Sequence, residues 1–229
     1  MCGVIGAIIK EPRAEDFLML HRVFLESKIR GMHATGISYV KHGKIITEKK
    51  PVPADEFPFN FPNYVNEDGS LYLIGHCRYS TSDLEFNQPI TNENISVVHN
   101  GVITQELYED WELIHGYACE GKNDTELLLR SLEHYSPLQH WKQSSLAVIE
   151  LHTDKRIRFY RNGKRPLYLT SISNGCIITS TADVPTRAEV PGFPINTLMN
   201  HYITFNDQLA MTIEREVIED EVDLQYELC

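Results

Sequence analysis

The chain has 229 residues, 42% of them hydrophobic, and a formal net charge of −11. That length and apolar content support a sizeable core, and the acidic balance argues against nucleic acid or an anionic membrane as a direct ligand. No run approaches the ~18 apolar residues of a membrane span, and the N-terminus has neither a basic leader nor an apolar signal core.

In chain order, Val4-Ile5-Gly6-Ala7-Ile8-Ile9 reads as a buried strand closed by Pro12. Phe17, Leu18, Leu20, Phe24, Leu25 and Ile29 recur at helical spacing from Ala14 to Ile29, with Gly31 as the stop. Residues 36–40 and 44–48 flank His42-Gly43 as a hairpin. The proline-rich stretch from Pro51 to Asn63 is expected to be irregular. Residues 70–79 read as a strand, and residues 95–99 as another that ends at Asn100-Gly101. Glu106 to Ile114 is expected to be helical, and Asn123-Asp124-Thr125-Glu126 opens a further helix. Beyond residue 145 four strands follow at 146–151, 156–160, 167–170 and 176–179, with turns at Asn162-Gly163 and Asn174-Gly175. A short helix at 184–188 and a final hairpin at 201–205 and 209–213 precede an acidic tail read as solvated. Periodicity alone supports one mixed α+β domain over residues 1–229.

Cys2 stands directly behind Met1. Once Met1 is removed, this cysteine carries a nucleophilic thiol and an α-amine that titrates near ~7.7–8.0 and can take the thiol proton. Taken alone, Cys2 is better read as the start of a buried strand. The other cysteines are Cys77, Cys119, Cys176 and Cys229. Their odd total and wide spacing give no disulfide framework and no zinc pattern, and a reducing, cytoplasmic setting fits. The ten histidines show no metal spacing, and no phosphate-binding loop is present, so no metal or cofactor is expected.

Five segments stand out together: Met1-Cys2-Gly3-Val4-Ile5-Gly6-Ala7, Arg30-Gly31-Met32-His33-Ala34-Thr35-Gly36, Gly75-His76-Cys77-Arg78-Tyr79-Ser80-Thr81, Val98-His99-Asn100-Gly101 and Asn123-Asp124-Thr125-Glu126. In this order and at these spacings they resemble the class II glutamine amidotransferase domain, a branch of the N-terminal-nucleophile hydrolases. The resemblance covers the first ~135 residues and continues more weakly through residues 161–168 and 180–183.

The resemblance implies a four-layer αββα sandwich and a role for each matching residue. Cys2 attacks the side-chain amide of L-glutamine, releases ammonia and leaves a γ-glutamyl thioester that water converts to glutamate. Asn100 and Gly101 form the oxyanion hole, where the dipeptide alone reads as a hairpin turn. Arg78 grips the substrate α-carboxylate, with Thr81 and Ser82 adding hydroxyl contacts in a lid from Arg78 to Phe86. Asp124 pairs with the α-ammonium, or caps a helix, or both. Arg30 is a cation beside the nucleophile that lowers its pKa, or the C-terminal cap of the preceding helix.

The residue after Thr81 is Ser82, where some relatives carry His. Many relatives fuse this domain to a synthase. Here the chain ends at Cys229 with no room for one, so the expected ammonia acceptor is a separate synthase acting in trans. Two alternatives stand beside that reading: hydrolysis of another γ-glutamyl amide, and a catalytically silent regulatory or binding subunit. Neither nucleic acid nor membrane is an expected partner.

Overall fold

The computed structural model describes residues 2–79, 87–133, 141 and 144–215. In chain order the elements are β1 (Gly3–Lys10), α1 (Ala14–Ser27), β2 (Ala34–Lys41), β3 (Lys44–Lys50), α2 (Phe61–Tyr64), β4 (Ser70–Arg78), β5 (Ile90–Thr91), β6 (Ile95–Val102), α3 (Trp111–His115) and α4 (Thr125–Glu133). There follow β7 (Ser145–His152), β8 (Ile157–Arg161), β9 (Tyr168–Ile172), β10 (Gly175–Thr179), α5 (Asp183–Arg187), β11 (Ile195–Asn196), β12 (His201–Phe205) and β13 (Met211–Arg215).

The strands form two sheets, ordered β11-β9-β10-β1-β4-β2-β3 and β13-β12-β8-β7-β6-β5. Three buried clusters define the layers. Ile5, Ala7, Ile9, Leu71 and Leu73 pack outward from the first sheet onto Leu20, Val23 and Phe24 of α1 and Val184 of α5. Val4, Ile8, Tyr72, Ile74, Val98, Ile149 and Phe159 fill the space between the sheets. Val97, Leu146 and Val148 pack outward from the second sheet onto Trp111 of α3 and Leu127, Leu128 and Leu132 of α4. The order is therefore helix, sheet, sheet, helix, and the αββα sandwich is confirmed. The central strands β1, β4, β6, β7 and β10 each contribute to two clusters because alternate side chains leave opposite faces.

Elements with strong periodicity lie close to their expected positions. α1 ends at Ser27, a 3-10 turn at Lys28–Arg30 follows, and Gly31 stands at the stop. Two expectations need correction. β6 does not end at Asn100-Gly101 but runs to Val102, because Gly101 keeps its pairing with Leu146 at φ 150°. The helix expected over 106–114 is a 3-10 turn at Tyr108–Asp110 followed by α3. Leu107 is extended there (ψ 146°), and the Glu106 carbonyl accepts the Trp111 indole N–H instead of a helical bond. The segment 51–63 is irregular up to Asn60, where α2 begins one residue later.

A charged cluster is buried on the outer face of β7. Glu150 is wholly inaccessible, and its Oε2 accepts from Arg158 Nε (2.9 Å) and Nη2 (2.8 Å) and from His152 Nε2 (3.0 Å). Burial pushes its carboxyl upward, but the Arg158 charge and the His152 contact outweigh that and hold it below the ordinary range.

Candidate active site

Register puts the nucleophile in place. β1 and β4 are antiparallel, with Val4 opposite His76 and Gly3 opposite Cys77, so one step further Cys2 stands beside Arg78. Val4 and Ile8 of β1, and Tyr72 and Ile74 of β4, face the second sheet. By alternation Cys2, His76 and Arg78 share that inward face, while Cys77 packs behind α1 with its thiol 4.0 Å from the Phe24 carbonyl. On β6, Val98 points inward and Val97 outward, so Asn100 points between the sheets and His99 towards α4.

These side chains meet at one end of the sandwich around a cavity of about 270 Å³, bounded by Cys2, His76, Arg78, His99, Gly101 and Asp124 among others. The Cys2 thiol is half-buried, 3.9 Å from the Tyr79 carbonyl. Burial pushes its pKa up and Asp124 adds to the rise, while the Tyr79 backbone and the Arg78 guanidinium oppose it. At neutral pH the thiol is therefore protonated and needs a base. Arg30 reaches the backbone carbonyl of Cys2 (Nε to O 3.5 Å). Arg78 is a side-chain cation that lowers the thiol pKa, and Arg30 holds the backbone of the same residue.

Asp124 and the helix start separate cleanly. The Asn123 side chain accepts the Thr125 N–H (3.0 Å) at the head of α4. Asp124 instead turns to the cavity and accepts the Ile103 N–H at 2.7 Å. The side-chain bond to the Thr125 N–H at the head of α4 is thus made by Asn123, and Asp124 is left facing the cavity.

The end of β6 is clamped. Gly101 lies so close to β7 that a Cβ there would come within 1.7 Å of the Ser145 carbonyl, and its φ of 150° suits glycine alone. Ser145 Oγ accepts the Val102 N–H (3.0 Å), and Ser144 Oγ donates to the Ile103 carbonyl (2.6 Å). Asn162 holds that pair, accepting from the Leu146 N–H and donating to the Ser144 carbonyl. Asn100 is 2% exposed, and its Nδ2 donor has no hydrogen-bond partner. It is adjacent to the cavity wall but does not line it.

Backbone packing explains the second motif. A Cβ on Gly31 would come within 2.3 Å of the Arg78 backbone, so only glycine lets the chain leaving α1 pass under the end of β4. Ser180 holds the other side, its Oγ accepting the Val4 N–H at 2.7 Å.

Cys2, Arg78, Gly101 and Asp124 are thus brought together, with Asn100 and Arg30 next to them. Thr81, Ser82 and most of the expected lid lie outside the described residues. Sequence reasoning missed Ser144, Ser145 and Gln88, and the placing of His76 and His99 at the cavity. These are ordinary residues whose importance comes from the strands they face. Among the described residues no group of three or more His, Cys, Asp or Glu side chains could hold a metal. No helix among them is long and apolar enough to cross a membrane.

No family model matches the chain. Sequence relatives include glutamine–fructose-6-phosphate aminotransferase (isomerizing) of Clostridium perfringens, 31% identical over 146 residues, which cover 59% of this chain and 22% of that protein. The enzyme of the same name from Sulfurisphaera tokodaii is 25% identical over 190 residues, 78% of this chain and 31% of that protein. The chain thus spans less than a third of the length of these relatives. In fold it is similar to glutamine phosphoribosylpyrophosphate amidotransferase from B. subtilis, with a TM-score of 0.73 at 20% identity over 93% of this chain and 49% of that one. It is also similar to a glutamine aminotransferase class-II domain protein from Silicibacter pomeroyi, with a TM-score of 0.58 at 13% identity over 94% of this chain and all of that one.

Proposed function

For a chain homologous to the glutamine amidotransferase domain and carrying its N-terminal-nucleophile fold, we propose that the cavity binds L-glutamine and hydrolyses its side-chain amide to glutamate and ammonia. The observation that carries this reading is the placement of Cys2, Arg78 and Asp124 around one cavity. A thiol, a cation and an anion at one small site suit an amino acid whose α-carboxylate and α-ammonium are both read.

After removal of Met1, the free α-amine takes the thiol proton as sulfur adds to the amide carbon. Charge develops on the amide oxygen. The buried, unpartnered amide of Asn100 and the backbone N–H of Gly101 are the donors for it, each worth roughly 2.7–4 kcal/mol of transition-state stabilisation. The proton passes to the leaving nitrogen, ammonia departs and a γ-glutamyl thioester remains. Water then adds to the thioester carbonyl, the thiol is restored and glutamate leaves. Arg78 holds the α-carboxylate in bidentate fashion and Asp124 the α-ammonium. Thr81 and Ser82 belong to the same proposal as carboxylate contacts.

We read residues 1–229 as one glutaminase domain whose ammonia passes to an acceptor synthase acting in trans. The support is the names of the relatives, which couple glutamine to a second substrate. Cys2, Cys77, Cys119 and Cys176 are free thiols, and a reducing cytoplasm suits them. Glutamate release by protein processed to Cys2 tests the reaction. The Cys2→Ala variant is expected to release none, and retention of activity in that variant removes the reading.

A further inference from the structure

β6 reaches the cavity with one edge that β5 does not cover. Their hairpin is regular near its turn: the Asn92 N–H donates to the Ile95 carbonyl (2.9 Å), and Ile90 stands opposite Val97. Bonded pairs alternate along an antiparallel ladder, so the next bonded position sets Gln88 opposite His99. β5 stops short of it at Ile90. Both backbone groups of Gln88 are turned elsewhere. Its N–H donates to Asn87 Oδ1 (2.9 Å). Its carbonyl lies against β2 of the first sheet, so close to Gly36 that a Cβ there would come within 2.1 Å of it.

The Gln88 side chain fills the position its backbone has left. Its Oε1 accepts the His99 N–H at 2.6 Å. The residue is 5% exposed and borders the cavity. The preceding carbonyl, that of Asn87, accepts Lys49 Nζ of β3 (3.0 Å). Gln88 thus packs on the first sheet through its carbonyl and bonds to the second through its amide oxygen, at the end of the sandwich where Cys2 lies.

The consequence falls on the next donor of the same edge. N–H groups leave alternate edges of a strand, and the Val102 N–H goes to Ser145 Oγ on β7 (3.0 Å). The Gly101 N–H therefore leaves on the edge of the His99 N–H, one step past Gln88, where β5 has ended and the cavity begins. β7 and Ser145 hold one edge of β6 here, and Gln88 holds the other. Without Gln88 Oε1, a buried N–H loses its acceptor and the edge that aims Gly101 is released.

Building on the glutamine reading, we propose that Gln88 is a positioning residue for the oxyanion donors: its Oε1 fixes the uncovered edge of β6 at His99 and so sets the aim of the Gly101 N–H and the Asn100 side chain at the substrate amide. It does not touch the reacting atoms.

The test removes the acceptor and then restores it. Gln88→Met keeps the length of the side chain without the oxygen, and Gln88→Glu puts an oxygen back. Glutaminase kinetics and amide hydrogen exchange are measured on protein processed to Cys2. In Gln88→Met, kcat is expected to fall about tenfold to 10²-fold, the scale of a small misplacement, with KM for L-glutamine within about threefold of wild type. The His99 amide is expected to exchange about tenfold faster or more, while the core amides of Ile8 and Ile149 keep their rates. Gln88→Glu is expected to recover the His99 protection and most of kcat. A variant in which Ile8 and Ile149 also exchange faster has lost the fold, and Gln88→Ala is then read in place of Gln88→Met.

A kcat close to wild type in a variant whose His99 amide has lost protection overturns the positioning role, and so does an unchanged His99 exchange rate in Gln88→Met. A rise in KM at unchanged kcat overturns it too, because Gln88 is then a substrate contact. So does a Gln88→Glu protein that protects His99 yet stays as slow as Gln88→Met. If wild-type protein does not hydrolyse L-glutamine, the glutamine reading itself is what fails, and His99 exchange alone then decides whether Gln88 holds the strand.

Discussion

Cys2 stands beside Arg78 because Gly3 faces Cys77 in the β1–β4 ladder and the next pair inward-facing is theirs. Both side chains are thus placed by strand register rather than by a loop. A one-residue slip of either strand would turn its own side chain to the α1 side and part the two.

Arg78→Lys tests the bidentate grip. Lysine keeps the charge but loses the planar fork. KM for glutamine is expected to rise about tenfold or more with a smaller change in kcat, as a loss of roughly 1.4 kcal/mol per factor of ten in binding. Steady-state kinetics check it. An equal loss in kcat alone would place Arg78 at the reacting centre instead.

Gly101→Ala tests the oxyanion turn. The new methyl group would press on the Ser145 carbonyl at a backbone angle that alanine resists. With the donor displaced, kcat is expected to fall about 10²–10³-fold. Pre-steady-state thioester formation measures it, and near-normal kcat would exclude Gly101 as a donor.

The cysteine pKa gives a pH prediction. Burial raises the thiol above its ordinary value, so protein that retains Met1 should alkylate slowly at pH 7 and faster with each step into alkaline pH. Protein processed to Cys2 should react faster near neutrality, because its α-amine is then free to take the proton. Rate–pH profiles of the two forms check it. Identical profiles would remove the amine from the mechanism.

Glu150 links stability to pH. Its folded pKa lies below the ordinary value of 4.5, so its stabilising contribution is complete above that value and is lost as pH falls through the folded pKa. Glu150→Gln strands the Arg158 charge and is expected to cost roughly 3–5 kcal/mol. The variant's stability should also lose its steepest acid dependence. Denaturant melts from pH 3 to 7 measure both.

The sequence made the local elements legible wherever one face was apolar. The strand read from Ser70 and the helical spacing of Leu20 and Phe24 place those side chains in the buried clusters observed, while Leu18 and Ile29, read at the same spacing, are exposed. The four-layer stacking came from the resemblance, since periodicity cannot say which sheet a strand joins. The two-residue strands β5 and β11 carry too few residues for any period. Asn100-Gly101 looks like a strand end because its dipeptide is a turn signal, yet the glycine bends within the ladder and pairing continues to Val102. In the site, Cys2, Arg78 and Asp124 were visible as ordered motifs. The cavity-side placing of His76 and His99 and the clamp made by Ser145 and Asn162 were not, because each depends on neighbours that only strand pairing brings near.

The most direct measurement is intact mass spectrometry of protein processed to Cys2, acid-quenched during turnover of L-glutamine. A single γ-glutamyl adduct on Cys2, absent from Cys2→Ala and cleared as glutamate accumulates, is the expected result. Unmodified protein at every time, with no glutamate formed, would contradict the account.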